Sequence, residues 1–243
     1  METIQIYLNS KRANKYINDQ TSDCVFHLPQ INIRKSDKTS LTVLNAQIPS
    51  SFYNINSNND KLVYNINGGL TKIVYLAHSN YNINTLKTHI ISLIGSNFTI
   101  TYSPSSNKLT IVNLVYEFEF EESSTCFELL GFSASDHNST LKTLTSDNVV
   151  NLFTIRNLQI ASDNFILSNI DSYNPNNSNI LASIPVNTTY NGIISYTNNH
   201  DVYSEINNTR NLTNLHIRIT DQDGDIIELN NAHWSITLLL SIK

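Results

Sequence analysis

Glycine is scarce in this chain, six residues in 243, and none of the six falls in a GxGxxG, GxxxxGK or GxSxG arrangement. That removes the signatures of a dinucleotide-binding crossover, a phosphate-binding loop and the strained turn that presents a nucleophilic serine. The two cysteines, Cys24 and Cys126, lie far apart with no CxxC pattern and read as buried free thiols. The seven histidines show no HExxH or HxH spacing. On these absences no catalytic residue, no cofactor-binding residue and no metal ligand is nominated. The chain is read as not an enzyme.

Charge is sparse too. Charged residues make up 14% of the chain, the net charge is −5, and no basic run stands out. Affinity for DNA grows with the number of phosphates neutralised, so no direct nucleic-acid partner is expected. No apolar stretch reaches the roughly eighteen residues that a spanning helix needs, so no membrane insertion is expected. Met1-Glu2-Thr3-Ile4 lacks the regions of a secretory leader. Asp221-Gln222-Asp223-Gly224-Asp225 invites a calcium-loop reading, but an EF-hand loop needs Gly sixth and Glu twelfth. Here Gly224 is fourth and Ala232 twelfth, so a tight turn is expected instead.

What the chain does have is asparagine, about one residue in seven, with abundant Ser, Thr, Ile and Tyr. Asn disfavours helix interiors and tolerates turn geometry, while Ile, Thr and Tyr favour strands. Many short strands joined by polar turns follow from that pairing. Ile4 to Leu8 alternates, but the polar stretch from Asn9 to Ser22 has no apolar periodicity, so residues 1–22 are expected to form an N-terminal arm. Cys24, Phe26 and Leu28 share one strand face, and Leu41 to Ile48 is another strand, closed by Pro49-Ser50-Ser51.

Residues 56–132 have a different grammar. Lys61–Asn65 and Lys72–Leu76 flank the Asn67-Gly68-Gly69 hairpin turn. Asn84 or Thr85 is expected to cap a helix with Leu86, Ile90, Leu93 and Ile94 at helical spacing and Gly95 as its stop. Phe98–Tyr102 and Lys108–Val112 are expected to pair. Tyr116–Phe120 alternates aromatics with carboxylates and, with Glu121 and Glu122, predicts a solvent-facing acidic edge. Phe127–Phe132 closes an α+β insertion. Residues 133–148 read as a linker. Strand patterning then resumes at Leu152–Ile160, Ile180–Val186, Gly192–Tyr196, Leu215–Ile219 and Trp234–Ile242, with Asn-rich loops such as Asp171–Asn179 between them. Trp234, the only tryptophan, is read as a core residue. Residues 23–55 and 149–243 together supply about eight strands with long connections. The expected fold is therefore all-β, a jelly-roll β-sandwich with an inserted small α+β subdomain.

Several segments in order resemble a known family. Val43-Leu44-Asn45-Ala46-Gln47-Ile48-Pro49-Ser50-Ser51-Phe52-Tyr53-Asn54-Ile55 is similar to the IP-x-S-[FW]-Y-N-I passage of penton, or minor capsid, proteins of virophages and polinton-like viruses. In that group a Y-x-x-x-x-L helix, a hairpin and an L-[LG]-G-F close often follow. Tyr81 to Leu86, Phe98 to Val112 and Leu129-Leu130-Gly131-Phe132 occupy those places here. The Asp221–Asp225 turn and the Trp234–Ile242 strand match the end. The resemblance implies a structural capsid protein, a penton forming fivefold vertices as a homopentamer and located in a virion assembled inside the host cell. The implied partners are other copies of the chain, major capsid protein trimers reached through the N-terminal arm, and a host surface ligand as a further candidate. Two other readings stay open: a minor capsid protein elsewhere in the shell, and a jelly-roll carbohydrate- or receptor-binding module.

Overall fold

A computed structural model describes residues 2–33, 38–165, 167, 178–199, 203–206 and 211–243. Residues 171–177 of the Asn-rich loop, with Met1, thus lie outside the described residues. The chain divides into two compact units, one of Met1–Phe52 with Ile155–Lys243 and one of Tyr53–Thr154. The first opens with β1 (Glu2–Asn9), a 3-10 turn, β2 (Lys15–Ile17), β3 (Gln20–Ile31) and β4 (Thr39–Pro49).

The second unit holds β5 (Lys61–Ile66), β6 (Lys72–Tyr75), α1 (Ile83–Ile94), β7 (Phe98–Ser103), β8 (Lys108–Asn113), β9 (Phe118–Phe120), α2 (Phe127–Leu130), β10 (His137–Asn138) and β11 (Thr143–Thr145). These make two sheets, ordered β10-β9-β5-β6 and β11-β8-β7. Helix α1 starts earlier than expected. Asn82 is the cap: its side chain accepts from the amides of Asn84 and Thr85, and the Thr85 hydroxyl oxygen accepts from the Asn82 amide. That reciprocal pair satisfies orphan donors at both ends of the first turn, which neither Asn84 nor Thr85 would do alone. Leu86, Ile90 and Ile94 are buried along one stripe, and Gly95 at φ 110° ends the helix. Helix α2 ends at Gly131 in the left-handed region, φ 83°, where a Cβ would stand 2.5 Å from the Asn148 carbonyl oxygen. Only glycine fits there. Residues 133–148 are not a linker: they supply β10 and β11, and His137 and Leu144 are buried. The polar stretch hid two short strands because each is too short to show an alternation.

The chain returns to the first unit with β12 (Asn157–Ala161), β13 (Ile180–Pro185), β14 (Ile193–Thr197), β15 (Ser204–Glu205), β16 (Leu212–Thr220) and β17 (Ser235–Ile242). One sheet runs β1-β17-β4-β14, with β15 also on β4; the other runs β13-β12-β16-β3-β2. Lettering β1, β3, β4, β12, β13, β14, β16 and β17 as B to I gives sheets B-I-D-G and C-H-E-F. That is the strand order of a jelly roll, interrupted by the second unit between its third and fourth strands, D and E. Inward residues of both sheets, among them Leu8, Val43, Ile194, Leu238, Phe26 and Ile217, form one core.

Residues 1–22 are not an arm. Strand β1 pairs antiparallel with β17 over its whole length, from Glu2↔Ile242 to Asn9↔Ser235, and buries Ile6 and Leu8. Residues 15–17 then pair with β3. The unit boundaries also differ from the expected ones: Tyr53–Ile55 and residues 149–154 belong to the second unit, where Leu152 packs on its core.

Trp234 ties three segments together. It is 1% exposed, stands edge-on to Phe26 with centroids 5.8 Å apart, and donates Nε1–H to the Thr21 carbonyl at 2.7 Å. Its amide donates to Ser10 Oγ at 3.0 Å, and the Ser10 amide returns a bond of 3.0 Å to its carbonyl.

Candidate functional site

The Asp221–Asp225 segment is a self-satisfied turn. Asp221 Oδ1 accepts from the amides of Asp223 and Asp225 at 2.9 and 3.0 Å, and Gly224 takes φ 90°. Burial pushes the Asp221 carboxyl above its ordinary value, against the pull of those two amides. Among the described residues no group of three or more His, Cys, Asp or Glu is placed to hold a metal ion. Three carboxylates of the acidic stretch brace their own unit. Glu119 accepts from Asn65 Nδ2 at 2.8 Å and Glu121 from Thr71 Oγ1 at 2.7 Å. Glu117 accepts from the Ser139 hydroxyl at 2.6 Å and the Lys142 amide at 2.9 Å, and these bonds hold it below the usual carboxylate range. The thiols of Cys24 and Cys126 are free and buried, and burial pushes each up to about 12.

The two outer faces of the jelly roll differ in chemistry. On the β16–β3 side, His216 lies between Asp23, 2.5 Å from Nε2, and Asp163, 3.3 Å from Nδ1. Arg218 reaches the same Asp163 at 2.5 Å. No local pattern announces this cluster, because its members come from three separate segments that only the sheet register aligns. The face of the other sheet is mostly uncharged polar, with exposed Glu205 of β15 beside Ser40. One row runs Asn9, Ser235, Gln47 and Ser195, and the next runs Tyr7, Thr237, Asn45 and Thr197. Gln5, Leu239 and Thr42 form the third row; Thr3, Ser241, Ser40 and Glu205 form the fourth.

In the second unit, three loops are joined at one end. The Asn67 amide donates to the Glu117 carbonyl at 2.8 Å, and the Asn113 amide to the Lys142 carbonyl at 3.0 Å. Leu70 and Leu141 beside these bonds are exposed.

The passage from Ile48 to Ile55 has defined structural work. Ile48 and Ile55 are fully buried, and Ser51 Oγ donates to the Leu229 carbonyl at 2.7 Å. Asn54 holds Tyr81 from both sides of its peptide: Oδ1 accepts from the Tyr81 amide and Nδ2 donates to its carbonyl, each at 2.8 Å. These residues carry the chain out of β4 and start the second unit.

No family model matches the chain, and no curated protein matches it. Among solved structures it is similar to the mavirus penton protein, with 14% identity, a TM-score of 0.49 and coverage of 100% of both chains. It is also similar to a chain of the Sputnik virophage structure, with 11% identity and a TM-score of 0.47 over 99% of this chain and 98% of that one.

Proposed function

We propose that this chain is a structural protein of a viral capsid. Within that class we assign it to the vertex: a penton whose five copies close a ring of about 137 kDa, five times the 27.5 kDa chain. The supporting observation is the B-I-D-G and C-H-E-F strand order interrupted after its third strand, with the Ile48–Ile55 passage making the exit. Jelly rolls recur in capsid and lectin domains; the Ile48–Ile55 resemblance favours the capsid. The role is non-enzymatic and uses no cofactor or metal. A closed ring of five requires heterologous contacts, in which one surface of each copy meets a different surface of the next. Contacts with neighbouring capsid subunits then come from the folded surface, since the N-terminal residues are committed to the sheet.

A particle reconstruction tests this reading. Density for the chain at the fivefold positions is the expected result. Density elsewhere in the shell would make it a minor capsid protein, and its absence from particles would remove the capsid role.

A further inference from the structure

One turn of the second unit holds residues that its backbone disfavours. Among the described residues nine non-glycine positions take a positive φ, and seven of them are Asn or Asp, the side chains that tolerate it. The other two are Leu141 at φ 52° and Lys142 at φ 63°, the central pair of the turn between β10 and β11. Thr140 and Thr143 close that turn, each amide donating to the other's carbonyl, at 2.9 and 3.1 Å. A two-residue turn with both φ values positive favours Asn-Gly. The turn at residues 66–69 of the same unit follows that preference, with Asn67 at φ 53° and Gly68 at φ 66°. Asn is about one residue in seven of this chain, yet the strained position carries a leucine that is 86% exposed. Packing does not account for it, and strain of this kind collects at functional sites.

Leu141 does not stand alone. Leu70, 90% exposed, and Leu114, Val115 and Tyr116, between 43% and 65% exposed, sit on the neighbouring loops at the same end of the unit. Besides the bonds from Asn67 to Glu117 and from Asn113 to Lys142, the Leu114 amide donates to the Asn97 carbonyl at 2.9 Å. Asn113 is 1% exposed, and its Oδ1 accepts from the amides of Val115 and Tyr116 at 2.9 and 3.1 Å. The Lys142 amide donates to the Glu117 carboxylate. The amides of residues 114–116 and 142 therefore have partners within the unit, which lowers the cost of taking these tips out of water. The three loops carry one acid and one base, Glu117 and Lys142. Lys72, Glu119 and Glu121 flank them, and the two acids already accept from Asn65 and Thr71.

We propose that these loop tips dock on a neutral, zwitterionic lipid surface, dipping Leu70, Leu114 and Leu141 into one leaflet while nothing spans the bilayer. The inference goes beyond the capsid role and does not depend on it. Size and composition select the occupant. At about 100 Å² of apolar surface for a fully exposed side chain, the five residues present on the order of 300 Å². That is well short of the roughly 800 Å² that each partner gives to a standard protein interface. Leu and Val are also under-represented among the residues that anchor protein interfaces. In lipid each buried CH₂ contributes separately, so two or three loop tips suffice. A protein would need a hollow matched to these convex tips, whereas a fluid bilayer conforms to them. Tyr116 suits the headgroup level, and the Lys142 stem can lie in the apolar layer with its ammonium among the phosphates. The flanking acids and the net charge of −5 disfavour an anionic membrane.

Flotation of the full chain with phosphatidylcholine vesicles tests this. The wild type should float with the vesicles, and adding phosphatidylserine at low salt should weaken binding. The double variant Leu141→Asn with Lys142→Gly gives the turn the residues its backbone favours. It should melt no lower than wild type, yet bind vesicles at least tenfold more weakly, and Leu70→Ser should weaken binding in the same sense. Phe153→Ser, at an apolar side chain 72% exposed outside these loops, should change nothing. A wild-type chain that stays with the unbound fraction overturns the proposal. So does binding that appears only with phosphatidylserine and vanishes in salt, or binding that survives the double variant. A lower melting temperature for the double variant would show that Leu141 serves the fold, and would remove the premise. Loop amides protected from hydrogen exchange by other capsid proteins, and not by vesicles, would assign the tips to a protein partner instead. The particle reconstruction tests the capsid role separately, so a failure here leaves that role untouched.

Discussion

Replacing Trp234 with alanine removes the side chain on which three segments of the jelly roll converge. Truncating a buried Trp costs about 3–5 kcal/mol through lost burial and the cavity left behind. The edge-on contact with Phe26 adds about 0.5–1.5 kcal/mol beyond area. The Thr21 carbonyl, which accepts Nε1–H at 2.7 Å, would lose its partner at a cost of about 1–3 kcal/mol. These effects overlap, so a total of about 5 kcal/mol is expected, a large share of the roughly 5–15 kcal/mol that holds a protein folded. At about 3 °C per kcal/mol for a chain of this size, Tm should fall by about 15 °C. Trp234→Phe retains most of the ring but not the donor and should lose about 1–2 kcal/mol. Hydrogen exchange should show faster opening of β1, β3 and β17 in the alanine variant, with α1 amides unchanged. A melting temperature within a degree or two of wild type would refute the assignment of Trp234 as the centre of this core.

Deleting residues 2–9 should abolish folding of the first unit, because it strips a full-length strand from β17 and removes Ile6 and Leu8 from the core; a soluble, cooperatively melting product would contradict this. Gly131→Ala should cost about 1–3 kcal/mol for its left-handed backbone, and more for the approach to the Asn148 carbonyl, read as a lowered Tm. Asn82→Ala should cost about 1 kcal/mol in chemical denaturation, the value of a lost helix cap. Burial raises the Asp221 carboxyl in the folded chain, so the folded state holds that proton more tightly than the unfolded one. The stability it contributes is present below the unfolded carboxyl's range and is lost as pH rises through the folded value. Asp221→Asn keeps an acceptor for the Asp223 and Asp225 amides without the charge. It should therefore be at least as stable as wild type at neutral pH and lose that advantage toward pH about 4; the opposite trend in a pH series of melts would be inconsistent with this account.

Local pattern carried much of the fold. Two-residue alternation placed Cys24 and Phe26 on one face of a strand, and helical spacing aligned Leu86 and Ile90, because these signals depend only on neighbours along the chain. The same logic failed where partners are distant or elements short. Ile4 to Leu8 alternates as a strand should, yet the polar residues after it suggested an arm, since nothing near Glu2–Asn9 reveals that its partner is Ser235–Ile242. His137 and Leu144 sat in a stretch too polar to read as structure, although both are buried.

The sequence by itself determined which side of the longer alternating strands is apolar, the apolar stripe of α1, and that the chain is a multi-stranded β protein lacking recognisable catalytic motifs. Only the tertiary structure decided strand order and register. The outer face of the first sheet depends on those, because its rows join residues from β1, β17, β4 and β14, segments at opposite ends of the chain. The His216 cluster arises the same way, from Asp23, Asp163 and Arg218 brought together by pairing. A strand's pattern fixes its inward side by local geometry, but its neighbours are chosen by the packing of the whole core, and surface chemistry is a property of those neighbours.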